Sequence, residues 1–322
     1  MSDKHEPPQV QPADPRGIAS AVEILRCGGL VAVPTETVYG LAARADSAAA
    51  VAEIYRAKGR PDFNPLIVHV ASLDLAEEFA LIDERARRLA AHFWPGALTM
   101  VLPLRQDARI APAVTAGLPT IALRCPAHAV MRAVLEQSGL ALAAPSANRS
   151  GGISPTRAAH VAASLASAVG LILDGGACTA GIESTIVALR EGGRWQVLRP
   201  GPITEAEISA ILGAQAILGA QGSVAASDKI EAPGQLASHY APGKPVRLGT
   251  EIAAAGEFLI GFGAVPGQIS LSPTGDLAEA AARLYECLHL AAAAPEPRIA
   301  VAPIPDIGIG AAINDRLARA AA

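Results

Sequence analysis

Residues 30–41 read LVAVPTETVYGL, an apolar run that leads directly into a segment rich in hydroxyl groups. The run LVAV (30–33) is typical of a buried strand, while PTETVYGL (34–41) places two threonines around a glutamate, then tyrosine and glycine. A plain turn needs glycine, asparagine or aspartate and gains nothing from a cluster of hydroxyls. The segment therefore predicts a strand that ends where a small polar molecule is held.

Apolar runs of this kind alternate with amphipathic segments along most of the chain. Further strand-like runs occupy 65–70, 97–104, 120–126, 140–146, 170–176 and 184–190. Helical patterns occupy 47–58, 83–93, 129–139, 154–165 and 204–212. Ser154 and Pro155 predict the start of one helix, and Thr204 with Glu207 predicts a capping box for another. This alternation predicts an α/β domain with a substantial sheet in which not every strand is parallel.

Composition changes divide the chain into four parts. Residues 1–16 are polar and proline-rich without an apolar core, which predicts a disordered tail rather than a signal peptide. The α/β pattern of 17–212 predicts the larger domain, and the Gly/Ala/Ser-rich, then Pro/Gly-punctuated 213–244 predicts a linker. Strand-like and helical runs within 245–322 predict a small second α/β domain.

The composition argues against several classes of protein. A formal net charge of −4 with 3% aromatic residues is unlike a dedicated nucleic-acid binder, which usually has excess cations and stacking aromatics. The four cysteines form no CxxC pair, so neither a zinc site nor a disulfide framework is expected. The longest uncharged stretch, 208–227, contains Gln, Gly and Ser and does not resemble a membrane span. We expect a cytoplasmic protein without membrane contact or stable nucleic-acid binding.

Cations, amides and hydroxyls gather near the ends of several predicted strands. KGRPDFNPLIVHV (58–70) is suited to neutralising phosphate or carboxylate oxygens, although a solvated basic turn with a core histidine is the simpler alternative. Arg124 lies inside an apolar strand and needs an anion, either a ligand or a structural Asp or Glu. APSANRSGGISPT (144–156) predicts an anion cradle, although ordinary strand-to-helix loops have a similar composition.

Familiar catalytic motifs do not occur. The sequence contains no GxxxxGK[ST] loop, no HExxH and no GxSxG. Scattered cations and hydroxyls are better suited to positioning and charge neutralisation than to covalent catalysis.

Taken in order, these segments resemble the YrdC-type threonylcarbamoyl-AMP synthases in their long, two-domain form. The match over roughly 17–244 runs through PTETVYGL, KGRPDFNPLIVHV, WPGALTMVL, VTAGLPTIALRCPAH, APSANRSGGISPT, LDGG, GIESTIV, LRPG and HYAP. The resemblance implies a YrdC-like twisted mixed sheet with helices around a concave groove, followed by a small C-terminal Rossmann-like α/β domain.

The resemblance also implies a nucleotidyltransferase reaction. L-Threonine, bicarbonate or carbon dioxide, and ATP would give L-threonylcarbamoyl-AMP and pyrophosphate, the first step in making threonylcarbamoyladenosine at position 37 of tRNA. The downstream partner would be the tRNA threonylcarbamoyltransferase machinery. Mg²⁺ would arrive with ATP and bridge its phosphates, so no protein metal ligands are expected.

Site residues carry over by position. The resemblance implies that L-threonine is held by Thr37, His69, Arg124, Ala144 and Ser184. It implies that ATP is held by Lys58, Arg60, Asn64, Thr115, Ser146, Asn148, Ser154, Arg199 and Tyr240, with Lys58 and Arg60 in catalytic roles. His239 and Tyr240 suggest that 230–244 folds over the nucleotide as a lid.

Two other functions compete with this one. An RNA-binding module of the same fold, without adenylyl transfer, would use the cations on a phosphate backbone, against the net charge of −4. A carbamoyl-phosphate-using enzyme of hydrogenase maturation would need cysteine pairs and an acylphosphatase-like segment, which this sequence lacks.

Overall fold

Strands and helices alternate along the described part of the chain, as expected for an α/β protein. The computed structural model describes residues 9–165, 168–213, 231–235 and 239–322. The strands are β1 (Val10–Pro12), β2 (Val31–Val33), β3 (Gly40–Arg44), β4 (Ile67–His69), β5 (Leu98–Pro103), β6 (Thr120–Arg124), β7 (Leu142–Ala143), β8 (Leu171–Asp174), β9 (Thr185–Leu189), β10 (Trp195–Arg199), β11 (Val246–Arg247), β12 (Glu257–Gly261), β13 (Ile269–Ser270) and β14 (Arg298–Val301). The helices are α1 (Pro15–Arg26), α2 (Ala48–Lys58), α3 (Leu73–Glu77), α4 (Glu84–Phe93), α5 (Pro112–Thr115), α6 (Ala129–Ser138), α7 (Ala158–Leu165), α8 (Glu205–Leu212), α9 (Leu277–Ala293) and α10 (Gly310–Ala321).

The strands form two sheets. The ten-stranded sheet has the order β1-β8-β2-β3-β7-β4-β6-β5-β9-β10, and the four-stranded sheet has the order β11-β14-β12-β13. The large sheet is mixed: β4 pairs with β6 in parallel, for example, whereas β5 pairs with β6 antiparallel. All three pairings of the small sheet are parallel. The predicted fold class, a mixed α/β sheet with a second small α/β domain, is confirmed.

Alternating side chains give the large sheet two buried faces. On β2, Val31 and Val33 pack into a cluster with residues of α1 and α6, while Ala32 faces a cluster with residues of α2. At the other half of the sheet a small cluster joins residues of β4, β5, β6 and β9 to Ala232. The segment 231–235 therefore lies against the sheet face that carries this small cluster.

The predicted tail is ordered in its second half. The prediction that residues 1–16 are disordered is wrong for residues 10–16, whereas residues 1–8 lie outside the described part. Strand β1 pairs in parallel with β8, and Asp14 caps α1 by accepting hydrogen bonds from the backbone N–H groups of Arg16 (3.0 Å) and Gly17 (2.8 Å). An Asp-Pro pair is a helix-start signal, and the edge of β8 supplies the backbone partners that a three-residue strand needs.

One predicted helix begins later than expected. Ser154 and Pro155 were predicted to start the helix over 154–165, but α7 begins at Ala158. The backbone of the preceding residues bonds to other loops instead: Pro155 accepts from Tyr39 N–H (2.8 Å) and Thr156 from Cys178 N–H (3.0 Å). Long-range hydrogen bonds thus replace the predicted local cap. The capping box of Thr204 and Glu207 at α8 is confirmed.

The two domains share part of a core. The hydrophobic cluster around α9, α10 and the small sheet includes Val38, Ile153, Ile182 and Tyr240 from the preceding 244 residues. Gly181 (φ +69°) packs so tightly here that an added Cβ would lie 2.4 Å from the backbone of Ala282. Most of the predicted linker, 214–230 and 236–238, lies outside the described residues. None of the helices in the described part of the chain has the length and apolarity that crossing a bilayer requires.

Candidate functional site

A cavity lies between one face of the large sheet and four described residues of the predicted linker, Pro233, Gly234, His239 and Tyr240. It is lined by Thr35, Thr37, Val38, Gly40, Arg60, Ile67, His69, Arg124, Ala144, Pro145, Ser146, Glu183, Ser184, Arg199, Pro233, Gly234, His239 and Tyr240. The lining includes all five residues predicted to hold threonine. It also includes four of those predicted to hold ATP: Arg60, Ser146, Arg199 and Tyr240.

Strand periodicity explains why polar side chains meet here. Residues two apart on a strand share a face, so His69 follows Ile67 on β4 and Arg124 follows Ala122 on β6. Ile67 and Ala122 belong to the small cluster that includes Ala232, which identifies the shared face. Ser184, just before β9, hydrogen-bonds Thr99 of β5 through their hydroxyls (2.8 Å). Adjacent strands therefore bring side chains far apart in sequence to one wall.

The PTETVYGL segment forms a hydrogen-bonded loop over the end of β2. The hydroxyls of Thr35 and Thr37 lie 2.8 Å apart, and Thr35 also bonds the carbonyl of Val38 (2.6 Å). Tyr39 donates its hydroxyl to the carbonyl of Gly176 (2.7 Å). Thr35 thus stabilises the loop, whereas Thr37 faces Arg124.

Arg124 is bound by this loop through a carboxylate that the sequence reasoning did not select. Its Nη1 donates to Thr37 Oγ1 (2.8 Å), and its Nη2 lies 2.6 Å from Glu36 Oε1. Burial alone would raise the pKa of Glu36, but the charge and hydrogen bond of Arg124 lower it overall. Glu36 Oε2 accepts from the N–H groups of Ala127 and His128. The structural ion pair considered as an alternative therefore exists, and it leaves Arg124 on the cavity wall.

His69 provides a neutral imidazole on the same wall. It is 3% exposed, and its Nδ1 is buried without a hydrogen-bond partner among the described residues. Burial, reinforced by the charge of Arg124, lowers its pKa to about 3. Because His69 lines the cavity, its unpartnered nitrogen is available to a ligand hydroxyl or amine.

Two buried arginines line the other side of the cavity, and a third buried cation, Lys58, bonds the backbone of the lining residue Ser146. Arg60 donates to the carbonyls of Asn64 (3.2 Å) and Pro65 (2.9 Å), and Arg199 donates to the carbonyl of Ser184 (3.0 Å). Lys58 donates to the carbonyls of Ser146 and Asn148. Within the described chain none of the three cations forms an ion pair with a carboxylate.

Burial disfavours the charged form of all three side chains. It lowers the pKa of Lys58 well below its usual value, with the charge of Arg60 as a further cause, and lowers that of Arg60 to about 10. The pKa of Arg199 is also lowered by burial. Buried positive charge that lacks protein carboxylates favours a polyanionic ligand.

The remaining predicted ATP residues lie outside the lining. They are Lys58, Asn64, Thr115, Asn148 and Ser154, all buried. Asn148 donates its amide to the carbonyls of Arg149 (2.9 Å) and Gly152 (2.8 Å), and Thr115 donates to that of Pro112 (3.3 Å). In this structure these side chains shape the loops behind the wall, while Asn64 Oδ1 and Asn148 Oδ1 are buried without described partners.

Glu183 lines the cavity and is the second carboxylate that the sequence reasoning did not select. It accepts from Ser154 Oγ (2.6 Å), from Tyr285 OH (2.8 Å) and from Arg316 Nε (2.9 Å). Burial would raise its pKa, but Arg316 and Arg199 hold it at about 2. In the sequence Glu183 is visible as the acid of GIESTIV. The cation that it pairs with, Arg316, lies 133 positions further along the chain.

The predicted lid residues take part in the cavity wall. Tyr240 is 1% exposed and His239 8%, and the N–H of Ala241 donates to the carbonyl of Gly151 (2.8 Å). The ring of Tyr240 lies 5.5 Å from that of Tyr285. The described parts of 231–244 thus pack against both domains.

Comparison with known proteins agrees with the geometry. A family model described as "Telomere recombination", the Sua5/YciO/YrdC domain, matches residues 23–201, and one described as "Threonylcarbamoyl-AMP synthase, C-terminal domain" matches 203–322. The chain is 40% identical over 328 residues to the threonylcarbamoyl-AMP synthase of Bacillus subtilis, covering 96% of this chain and 93% of that one. It is 44% identical over 233 residues to the Pyrococcus abyssi enzyme of the same name, covering 71% and 66%.

A solved structure is similar over nearly the whole length. The P. abyssi Sua5 protein complexed with L-threonine matches with a TM-score of 0.88 and 35% identity, covering 97% of this chain and 96% of that one. Both domains and the segment between them therefore have counterparts in that protein.

Proposed function

Since the chain belongs to the threonylcarbamoyl-AMP synthase family in its two-domain form, we propose that it makes L-threonylcarbamoyl-AMP and pyrophosphate from L-threonine, bicarbonate or carbon dioxide, and ATP. It would be a nucleotidyltransferase acting in the first step of tRNA threonylcarbamoyladenosine synthesis, and would pass its product to the tRNA threonylcarbamoyltransferase machinery. The observation that carries the proposal is one cavity that combines Arg124 and neutral His69 with Arg60 and Arg199, two buried arginines that form no ion pair among the described residues.

Threonine would bind along the wall formed by β4, β6 and the PTETVYGL loop. Arg124 has N–H groups left after its bonds to Glu36, Thr37 and Gly96, and these would receive the α-carboxylate. His69 lines the same space and its Nδ1 has no described partner, which suits the threonine hydroxyl or amine. Ser184 and Ala144 would complete this wall.

ATP would bind on the side of Arg60 and Arg199. Neither arginine forms an ion pair with a described carboxylate, although the charge of Glu183 acts on Arg199, so a triphosphate would supply negative charge at close range. Lys58 has one remaining N–H for it after bonding two carbonyls. Ser154 differs from the expectation in one respect. Its hydroxyl proton is already donated to Glu183, so in this arrangement it can offer a nucleotide only an acceptor or its backbone.

We expect Mg²⁺ to enter as the ATP complex. No three His, Cys, Asp or Glu side chains in the described ranges lie close enough together to hold a metal ion. Glu183 on the cavity wall is engaged by Arg316, and Glu36 beside the cavity is engaged by Arg124. Phosphate oxygens and water would therefore supply the ligands that Mg²⁺ prefers.

The reaction needs positioning rather than a protein nucleophile. The threonine amine adds to carbon dioxide and loses a proton, and a carbamate oxygen then attacks the α-phosphorus of ATP. The bond from that phosphorus to the β-phosphate oxygen breaks, and pyrophosphate leaves with its charge held by the cations. The cations would offset the repulsion between carbamate and triphosphate, which otherwise keeps the two reactants apart.

The segment 231–244 would exclude water from these intermediates. Its described residues already supply Gly234, His239 and Tyr240 to the wall, which supports a lid over the nucleotide. Limited proteolysis of the full chain tests this idea. Cleavage within 213–244 should slow when ATP and threonine are both present, and unchanged cleavage would contradict the lid.

The RNA-binding alternative fits the site less well. Lys58, Arg60 and Arg199 are at most 9% exposed, whereas binding to a nucleic-acid backbone needs several phosphate contacts along an accessible surface. The decisive experiment supplies the chain with ATP, Mg²⁺, bicarbonate and labelled threonine. Pyrophosphate and a labelled adenylate should form only when all four are present, and pyrophosphate release without threonine would overturn the proposed reaction.

A further inference from the structure

The C-terminal domain inserts a buried arginine into the back of the candidate ATP site. Arg316 of α10 is 0% exposed, and its Nε lies 2.9 Å from Glu183 Oε2. Its Nη2 donates to the carbonyl of Pro200 (2.9 Å), next to Arg199. Its guanidinium also lies 5.6 Å from the centre of the Tyr240 ring. Its Nη1 also pairs with the neighbouring Asp315 (2.7 Å), which in turn pairs with Arg319 (3.0 Å). One side chain therefore contacts the lining residues Glu183 and Tyr240 and the carbonyl of Pro200 beside Arg199.

Glu183 would be unfavourable for ATP without this arginine. It is a buried, charged carboxylate on the wall of a cavity proposed to hold a triphosphate. Like charges at short range in a low-dielectric site repel strongly. The positive charge of Arg199 also acts on Glu183, so the carboxylate and a phosphate would compete for that cation.

Glu183 nevertheless has a structural task at the wall. It accepts the hydroxyl of Ser154 (2.6 Å), which lies in the loop between β7 and α7, and it is followed directly by Ser184. Tyr285 of α9 donates to its other oxygen (2.8 Å). The carboxylate thus fixes the loop of Ser154 relative to the strand entry at Ser184, provided that its charge is balanced from outside the cavity.

We propose that Arg316 is a positioning residue for ATP: it cancels the charge of Glu183 from the C-terminal domain, which lets Glu183 order the Ser154 loop without repelling the triphosphate. Arg316 acts through Glu183 and Pro200 and touches no substrate. The inference rests on the proposed ATP site, and it assigns the second domain a direct part in building that site.

A charge-neutral double variant tests the inference in the full chain. Arg316→Met keeps the side-chain stem but removes the cation, and should weaken MgATP binding by about 10- to 100-fold while changing threonine affinity little. Adding Glu183→Gln removes the uncompensated charge on the cavity wall and should restore most of the lost MgATP affinity, since the other carboxylate paired with Arg316, Asp315, keeps its ion pair with Arg319. A purely structural role for Arg316 would instead make the two losses add.

Calorimetric titration of MgATP and of threonine gives the readout, with thermal unfolding to report folding. Arg283→Met is the matched control, because Arg283 is an exposed arginine of the same domain that pairs with Glu279 on its own helix. Tyr285→Phe keeps every charge and should weaken MgATP binding only several-fold, which tests the network if Arg316→Met alone fails to fold.

The outcomes separate this inference from the proposed function. An unsubstituted chain that binds no MgATP would overturn the ATP site itself. A chain that binds MgATP normally but does not respond to Arg316→Met, or a double variant whose losses add, would overturn only the role of Arg316.

Discussion

At the residue scale, Arg124 shows how one side chain is prepared for an anion. Three of its nitrogens are anchored, by Gly96, Thr37 and Glu36, so the guanidinium is held in one orientation on β6. Glu36 in turn is anchored by two backbone N–H groups. An arginine held this way loses little conformational entropy when it binds a carboxylate.

Arg124→Ala should therefore impair threonine use far more than ATP binding. Loss of a charge-assisted contact of this kind costs about 2–4 kcal/mol, or roughly 30- to 1000-fold in kcat/KM for threonine. Steady-state kinetics with each substrate varied in turn measures the effect. Arg105→Ala, which removes an exposed arginine paired with Asp107, is the control. Normal threonine kinetics in a folded Arg124 variant would remove this residue from the site.

Arg60→Met should give the complementary result. Arg60 is anchored only through carbonyl oxygens, so its charge remains available to phosphate. We expect the KM for ATP to rise by about 10- to 100-fold, with threonine binding by calorimetry nearly unchanged. Equal losses for both substrates would indicate a general folding defect instead.

At the element scale, the site is made by strand ends and by one irregular segment that closes over them. Gly234 of that segment has a φ of +87°, and an added Cβ would lie 2.8 Å from Arg199 Cδ and 3.4 Å from Tyr240 OH. Glycine is required there by conformation and by space together. Because residue 234 has no side chain, its backbone can lie directly against the side chain of Arg199.

Gly234→Ala should consequently disturb the lid, whereas Gly243→Ala should not. Gly243 also has a positive φ of +76°, but its added Cβ would meet nothing within 4 Å. Both variants carry backbone strain of about 1 kcal/mol, so the contact with Arg199 is the difference between them. We expect Gly234→Ala alone to lower kcat several-fold and to release AMP from hydrolysed product, detected by chromatography. Identical behaviour of the two variants would contradict this view of the segment.

At the scale of the whole molecule, two buried histidines and one partly buried histidine make stability depend on pH. Burial lowers the pKa of His69 to about 3 and those of His160 and His239 to about 4. In the unfolded chain they titrate near 6.5, so unfolding takes up protons between about pH 6.5 and 4. The free energy of unfolding is therefore highest above about pH 6.5 and falls as the pH drops. Each histidine contributes at most about 1.4 kcal/mol per pH unit to this fall.

The free energy of unfolding, measured with denaturant at pH 7, 6 and 5, should fall as the pH drops. His160→Gln should reduce the number of protons taken up on unfolding by up to one. His160 stacks on His289 of the C-terminal domain at 3.8 Å, so its titration reports on the domain interface. His92→Gln, on the exposed side of α4, serves as the control. A slope unaffected by His160→Gln would mean that this histidine does not resist protonation in the folded protein.

Local patterns predicted most of the fold. Strand-like runs such as 97–104 and 120–126 became β5 and β6, and Gly139 ends α6 in the left-handed conformation, because side-chain alternation and caps act within a few residues. The wrong predictions concern segments that form hydrogen bonds with residues far away in the sequence. Strand β1 forms only on the edge of β8, and the cap expected at Ser154 yields to bonds with Tyr39 and Glu183.

The sequence alone therefore determined the α/β class, the order of the elements and the chemical types gathered at their ends. Only the tertiary structure decided which charges meet. Glu36 reaches Arg124 across 88 positions, and Glu183 reaches Arg316 across 133 positions and a domain boundary. The physical reason is that propensities and periodicity are local, whereas the energy of a buried charge depends on whatever the folded chain places within a few ångströms of it.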